Sequence, residues 1–509
     1  MLSPRQCCIA LIVGGLFGFA SSSVWALDKT THRAVIQQQQ QVGTPNQWQQ
    51  GIDSLQPNIP PSFFPSGAET PNTLAEFSAQ YVQAFPQAQW WTAFGDERLN
   101  TCVARAIANN PSFTLIQARV TEAKALSDLG RAPLFPQVSL SARYLLQQYG
   151  QNQFVFPLQQ RTFHSYETPL AASYELDLWG KNWTAYQAGK KRWQATQHDW
   201  HNAFNQLVAQ VVTAYLNVAR TQALLAEQQA STTLAEAQWQ HAVHRYQQQQ
   251  VRAEDVTSAQ QAWASQKDTL AAITTALALA KNQLHQLIAL SASEPLTDEM
   301  VSPLAAIVLP PEIPHGIPSE LLLHRPDVQA AEAALTAASL SVTSARRAFL
   351  PRVTLQGQTG FSAIGLDNLF KSNSLSSSFY PGVSLPLFQG GALKANTKLR
   401  KAQYTQAVAG YQSVLRNAFT DTENALQQMN GTYGAYQTAH EQWTSSQTRE
   451  AHARARYQQG LSRQSDWQDL ALERVAYTQA LAQQKTQLLI NYVGLMTSLG
   501  GGYAATPAP

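Results

Sequence analysis

The chain has 509 residues, only 13% of them charged, and a net charge of +3 at pH 7. So weak a basic balance provides no electrostatic footprint for nucleic acid. The length admits two or three domains or one elongated one.

At the N-terminus, Arg5 precedes an apolar run from Ile9 to Ala20 and the small-residue stretch Ser21–Ala26. This is the layout of a secretory signal peptide cleaved after Ala26. The run is too short to cross a bilayer core of about 30 Å as a helix, and no later stretch is long and apolar enough. Export without a helical membrane anchor is expected. Cys7 and Cys8 fall within the signal, which leaves Cys102 without an intrachain partner, so packing or assembly must hold the fold. No cysteine follows the apolar core, where an acylated N-terminus would need one. The Pro-rich stretch from Leu27 to about Phe85, with its Gln37–Gln41 run, reads as mostly irregular chain.

Prolines mark where long helices cannot be. None occurs between Pro169 and Pro295 or between Pro386 and Pro507. Both windows are rich in Ala, Gln, Leu and Lys, which favour helix. Each has room for two helices of roughly 50 to 60 residues, far above the globular mean of about 11 to 12. Breaks at Arg245–Asp255 and Arg456–Asp466 suggest two helical hairpins. Before each window lie short runs of period-two alternation: Leu170, Ala172, Tyr174, Leu176 and Leu178 in one, Val353, Leu355 and Gly357 with Val383, Leu385 and Leu387 in the other.

The two halves look duplicated. Arg245-Tyr246-Gln247-Gln248 recurs as Arg456-Tyr457-Gln458-Gln459, Phe135-Pro136-Gln137-Val138 as Leu350-Pro351-Arg352-Val353, and Leu176-Asp177-Leu178-Trp179 as Leu385-Pro386-Leu387-Phe388. Such ordered pairs at a near-constant offset mark two structural repeats. The expected boundaries are an N-terminal segment over 27–89, a first repeat over 90–294 (strands 135–180, hairpin 181–294), a linker over 295–318 and a second repeat over 319–500 (strands 350–388, hairpin 391–500). A short tail, 501–509, follows.

Two strands per repeat make four, and four cannot close a membrane barrel, whose smallest form has about eight. An open sheet in lipid would expose unpaired backbone. Either several chains share one barrel, or the protein is a soluble periplasmic coiled-coil scaffold with a small β patch. Nothing points to catalysis: there is no phosphate-binding glycine loop, no His-Glu-x-x-His, no Gly-x-Ser-x-Gly and no paired Cys ligands. His241 and His244 share a helix face and read as surface. No catalytic residue, cofactor or metal site is assigned.

Several motifs are family-specific: Gln89-Trp90-Trp91-Thr92-Ala93-Phe94-Gly95-Asp96 with Leu99, Asn109-Asn110-Pro111, Ser173 to Lys181, and Leu322-Leu323-His324-Arg325-Pro326-Asp327-Val328 with Ala331-Glu332. On these the chain resembles TolC-type outer-membrane efflux proteins, the NodT branch of channels serving RND efflux systems. The resemblance implies a mainly α fold with a membrane β part: a coiled-coil α-barrel across the periplasm and four strands per chain in a trimeric 12-stranded outer-membrane β-barrel. It implies a homotrimer in outer-membrane lipid, partnered by a periplasmic adaptor and an inner-membrane pump of the RND type, that passively exports small molecules such as drugs, dyes or metal ions. A channel for type I protein secretion would share this body and remains the alternative.

The resemblance also places a periplasmic gate at the hairpin tips. Tyr457, Gly460, Asp466 and Asp469 fall on the family's gate positions and Asp255 on the partner aspartate of the first repeat; Arg463 stands one residue from the family's basic position. An aspartate repeated by threefold symmetry gives a ring of carboxylates that favours cations and can hold blocking divalent ions; the same residues also suit helix N-capping. Tyr457 and Arg463 are the expected latches, bonded to Asp255 or to backbone across the interface. Glu175 and Asp177, alternating with apolar neighbours, are expected to face a wet barrel lumen, and Trp179 and Phe388 an aromatic belt.

Overall fold

The structure, a computed structural model, describes residues 89–150, 162–291, 293–310 and 319–501, all in the unit Ile59–Pro509. The expected signal peptide with Cys7 and Cys8, the Gln37–Gln41 run and most of the 27–89 segment lie outside the described residues.

Each half of the chain holds one or two short helices, two or three strands, a very long helix and a return helix. In the first half these are α1 (Glu97–Asn109) and α2 (Pro111–Arg131), β1 (Gln137–Leu140), β2 (Arg143–Gln148), β3 (Thr162–Leu176), α3 (Lys181–Gln247) and α4 (Ala253–Leu287). In the second they are α5 (Pro326–Arg347), β4 (Arg352–Ala363), β5 (Leu375–Ser384), α6 (Ala392–Gln458) and α7 (Gln464–Ser498). Both long helices have 67 residues and both return helices 35, so the duplication extends to element length.

The expected pair of 50- to 60-residue helices per window is corrected to one long and one short. The long helices run about 100 Å at 1.5 Å per residue, and the return helices cover only half of that. The remainder is supplied by the short helices, which butt end-on against the return helices. Asn110, the N-cap of α2, donates its side-chain amide to the carbonyl of Leu287 at the end of α4 (2.9 Å). Arg325, the N-cap residue of α5, donates to the carbonyl of Ser498 at the end of α7 (2.7 Å). Two carbonyls left over at helix C-termini are thus satisfied by the residue just before a proline-initiated helix, and each long helix faces a broken partner.

The core lies around these joints. Leu207–Ala219 of α3, Leu488–Leu499 of α7 and the aromatic run Trp90, Trp91 and Phe94 are buried together. Asp96 sits 7% exposed within this layer. It caps α1 by accepting from the backbone of Arg98 and Leu99, and also accepts from the hydroxyls of Tyr215 (2.6 Å) and Ser302 (2.9 Å). Burial and the bond to Asp96 push the Tyr215 pKa up, so the phenol stays a donor. Nearby, burial and Asp96 raise the Cys102 thiol to about 11.

β1 and β2 both pair with β3 and form one interrupted lane, so the sheet has four lanes in the order β1/β2, β3, β4, β5, all antiparallel. The second strand pair is shifted from expectation: β5 begins at Leu375 and ends at Ser384, so Leu385 and Leu387 lie beyond it. Gly360 is required where β4 crosses β3, since a Cβ there would run into the Thr168 carbonyl.

Candidate functional site

The sheet's registry sorts its residues onto two faces. On one, Val138 and Leu140, then Leu170, Ala172, Tyr174 and Leu176, then Val353 and Leu355, then Phe379 and Val383 lie side by side across the lanes. Much of this face is bare in the single chain: Leu140 is 75% exposed and Val383 74%. The other face carries Ser139, Ser173, Glu175, Thr354, Gln356, Gln358 and Ser378, and on it Arg143 pairs with Glu167. An apolar face backed by a wet polar one is the signature of a barrel wall in lipid. Among the described residues the β1/β2 lane and β5 each pair on one side only, leaving two edges of unpaired N–H and C=O groups that lipid cannot satisfy.

At the junction of wall and helix, Glu175 is the penultimate residue of β3 and pairs with Lys181 at 2.6 Å. Asp177 lies past the strand, which corrects its expected place on it. Its carboxylate accepts from the backbone of Asn182 (3.1 Å) and Trp183 (2.7 Å) and so caps α3. The alternation that suggested a strand to Leu178 continues into a turn closed by Gly180 at φ 70°. Trp179 donates to the Pro351 carbonyl at 2.7 Å, while Phe388 is almost fully exposed.

The hairpin tips lie at the far ends of the long helices. Both turns place one residue at positive φ, Gln249 at 60° and Gly460 at 73°, again 211 apart. Asp255 accepts from the Arg252 backbone at 2.9 Å and Asp466 from the Arg463 backbone at 3.2 Å, so each caps a return helix in the manner of a capping box. Asp469 is exposed and makes no hydrogen bond or ion pair among the described residues. Within one chain neither Tyr457 nor Arg463 is bonded to Asp255. The Tyr457 ring stacks instead on Trp467 of its own hairpin, centroids 5.9 Å apart and planes at 10°, and the Arg454 guanidinium lies 5.8 Å from that indole.

The sequence motifs acquire physical roles at the joint. Arg325, 8% exposed, grips Asp327 with two bonds of 3.1 and 2.8 Å besides its bond to Ser498, and Asp421 lies 3.5 Å away. Not foreseen was an ion-pair cluster above the second tip, where Arg474 contacts Glu450 (3.3 Å) and Glu227 (3.8 Å) and Arg449 contacts Glu473 (2.8 Å). The repeat offset makes Glu450 and Arg474 the counterparts of Trp239 and Trp263, 211 residues earlier, but does not by itself pair them.

An amphipathic sheet with two open edges, carried on hairpins about 100 Å long, defines a channel protomer whose barrel is closed by further copies. The family described as outer membrane efflux protein matches residues 102–290 and 317–501. The pyoverdine export outer membrane protein OpmQ of Pseudomonas putida is 30% identical over 471 residues, 87% of this chain and 92% of that one. The cation efflux system protein CusC of Escherichia coli is 28% identical over 427 residues, 82% of this chain and 89% of that one. The structure of the Campylobacter jejuni CmeC outer membrane channel superposes with a TM-score of 0.74 at 23% identity, covering 89% of this chain and 96% of that one. The chain belongs to the outer membrane efflux protein family. It is the outer-membrane exit duct of an efflux system, spanning outer membrane and periplasm, with the TolC-type architecture in which three chains build a helical barrel and a β-barrel.

Proposed function

We propose that this duct passes small molecules outward without a catalytic step, docked to a periplasmic adaptor and an inner-membrane pump of the RND type. Repeats 90–294 and 319–500 each contribute one strand pair and one helical hairpin. The relatives are named for cargoes as different as pyoverdine and cations, which favours a duct whose selectivity resides in its pump. Among the described residues the polar sheet face carries few charges, Arg143 with Glu167, Glu175 with Lys181, and Arg352, which suits a wall that is wetted and indifferent to cargo.

In this reading the tips form the periplasmic gate. Three copies place Asp466 and Asp469 in carboxylate rings, with Tyr457 and Arg463 reaching Asp255 or backbone of a neighbouring copy, and Glu175 faces the barrel lumen. The observation that carries it is Asp469: an exposed carboxylate one turn into a return helix, with no partner among the described residues, beside the turn of the second hairpin. Rings of this kind hinder anions and bind divalent ions. Single-channel recording in planar bilayers, for wild type and for Asp466→Ala with Asp469→Ala, tests it. Cation-selective pores blocked by millimolar divalent ions in the wild type alone are expected; equal block in the double variant refutes the gate.

A further inference from the structure

The wall of helices has two distinguishable faces. Thr213 of α3 lines a concave cavity of about 1680 Å³ together with Gln206, Asp327 of α5, and Asp421 and Gln428 of α6. Tyr215, two residues on and so about 200° around α3, points the other way and is bonded to Asp96 and Ser302. In a wall that three copies close into a ring, the concave face looks onto the axis. Helices that coil together keep one face in register every seven residues. Counted in sevens along each helix from the cavity, that face reaches Arg192 from Gln206, Ser341 from Asp327 and Arg400 from Asp421.

These three residues meet. α5 packs between α3 and α6, and Arg192 donates across it to the Ser341 hydroxyl at 2.7 Å. Burial, and then the charge of Arg400, lower the Arg192 pKa, yet an arginine keeps its proton at any physiological pH. Two like charges thus lie close together on a wet face. Arg400 donates to Gln403 at 3.0 Å, and neither guanidinium has an ion pair among the described residues. Asp199, on the same face of α3, stands seven residues from Arg192, about 10 Å along the axis, and has no ion pair there either. The surrounding level of the wall does not neutralise the two arginines. Gly189 abuts Ser127 of α2 and Lys124 lies over the Trp193 ring, so segments 122–128, 189–193, 337–344 and 394–401 stand level. They hold eight Lys and Arg against two Asp and Glu, in a chain whose whole net charge is +3.

We propose that Arg192 and Arg400 form an anion site on the lumen wall of the helical barrel, repeated three times around the axis, which takes the carboxylate or phosphate groups of small anionic solutes in transit. Guanidinium forks match such oxyanions two bonds at a time, and rings of arginine serve anion-conducting pores. The ring lies about 12 to 17 Å along the helices from the strand wall, far from the tip aspartates. The proposal deepens the reading of a passive duct gated at its tips and rests on it, and the test separates the two. Calorimetric titration of full-length, detergent-solubilised trimers with tripolyphosphate, free of divalent ions, should show binding that weakens as salt rises. Arg192→Gln with Arg400→Gln should weaken it by about tenfold or more, and Arg400→Gln alone, which leaves the Ser341 bond intact, should weaken it less. Lys190→Gln with Lys398→Gln removes the same charge at the same level, but each lysine stands two residues from an arginine and so on the far side of its helix. That variant should bind within about twofold of wild type. Added to the extracellular side of a planar bilayer, tripolyphosphate should interrupt single-channel current in wild type and in Asp466→Ala with Asp469→Ala, but not in the arginine double variant. Equal binding in wild type and the arginine variants, equal loss in the lysine variant, or wild-type current that is never interrupted overturns the proposal. Loss confined to the arginine variants, with divalent block unaltered by the tip substitutions, keeps the anion site and removes the gate.

Discussion

The joint end and the tip end of the same helices are built on opposite plans. At the joint, Arg325 and Asp96 are nearly buried and each satisfies several partners drawn from distant parts of the chain. At the tip, Asp255, Asp466 and Asp469 are exposed, and the bonds of the first two are local caps. A helix of 67 residues can therefore be fixed near its middle and left adjustable at its tip without any break in its backbone. Stability and gating then draw on different residues, and mutation should separate them.

Arg325→Leu should show the largest effect. It removes the guanidinium from the Asp327 carboxylate and from the Ser498 carbonyl, which keeps only the Thr422 hydroxyl, a loss of about 3–5 kcal/mol for a broken buried pair, read as a lowered unfolding midpoint of detergent-solubilised trimers. Asp96→Ala removes the acceptor for Tyr215 and Ser302 at once and should cost about 1–3 kcal/mol by the same measurement. If either variant unfolds like wild type, the joint does not anchor the helices. Asp466→Ala should cost only about 1 kcal/mol, the value of a lost cap, yet alter conductance more than either joint variant that still assembles. Smallest should be a pH effect at His198 and His201, half-buried on α3. Burial lowers both pKa values from 6.5, with the charges of His201 and Lys191 adding for His198. Lowered values mean that the unfolded chain takes up protons first as pH falls below 6.5, so stability declines there. Unfolding midpoints at pH 7.5 and 5.5 should differ, and by less in His198→Gln with His201→Gln.

Much of this architecture was legible in the residues. Two proline-free windows announced the long helices, and the recurrence of Arg-Tyr-Gln-Gln announced their duplication, because helix-breaking and turn chemistry act locally. The unequal helix lengths were not legible: the joints at Leu287 and Ser498 are made by Asn110 and Arg325, residues more than 170 positions away. The start of β5 escaped because Ser376-Ser377-Ser378 shows no apolar alternation, though Phe379 and Val383 sit on the apolar face. Asp177 was taken for a strand residue because alternation carries no information about where a strand ends. At the tips the aspartates were visible through the family likeness, whereas the Trp239–Trp263 and Glu450–Arg474 pairs need the hairpin register. That register follows from the positive-φ residues Gln249 and Gly460, which no spacing in the chain reveals by itself.

The open edges of the four-lane sheet have a consequence for the cell's economy of subunits. A protomer with a flawed β5 edge spoils one of the three seams and so leaves the whole ring open, because every copy in a threefold ring lends one edge and borrows another. In a cell making equal amounts of intact and edge-broken chains, only about one ring in eight would be wholly sound if assembly were random. A mutation at this edge would accordingly act dominantly.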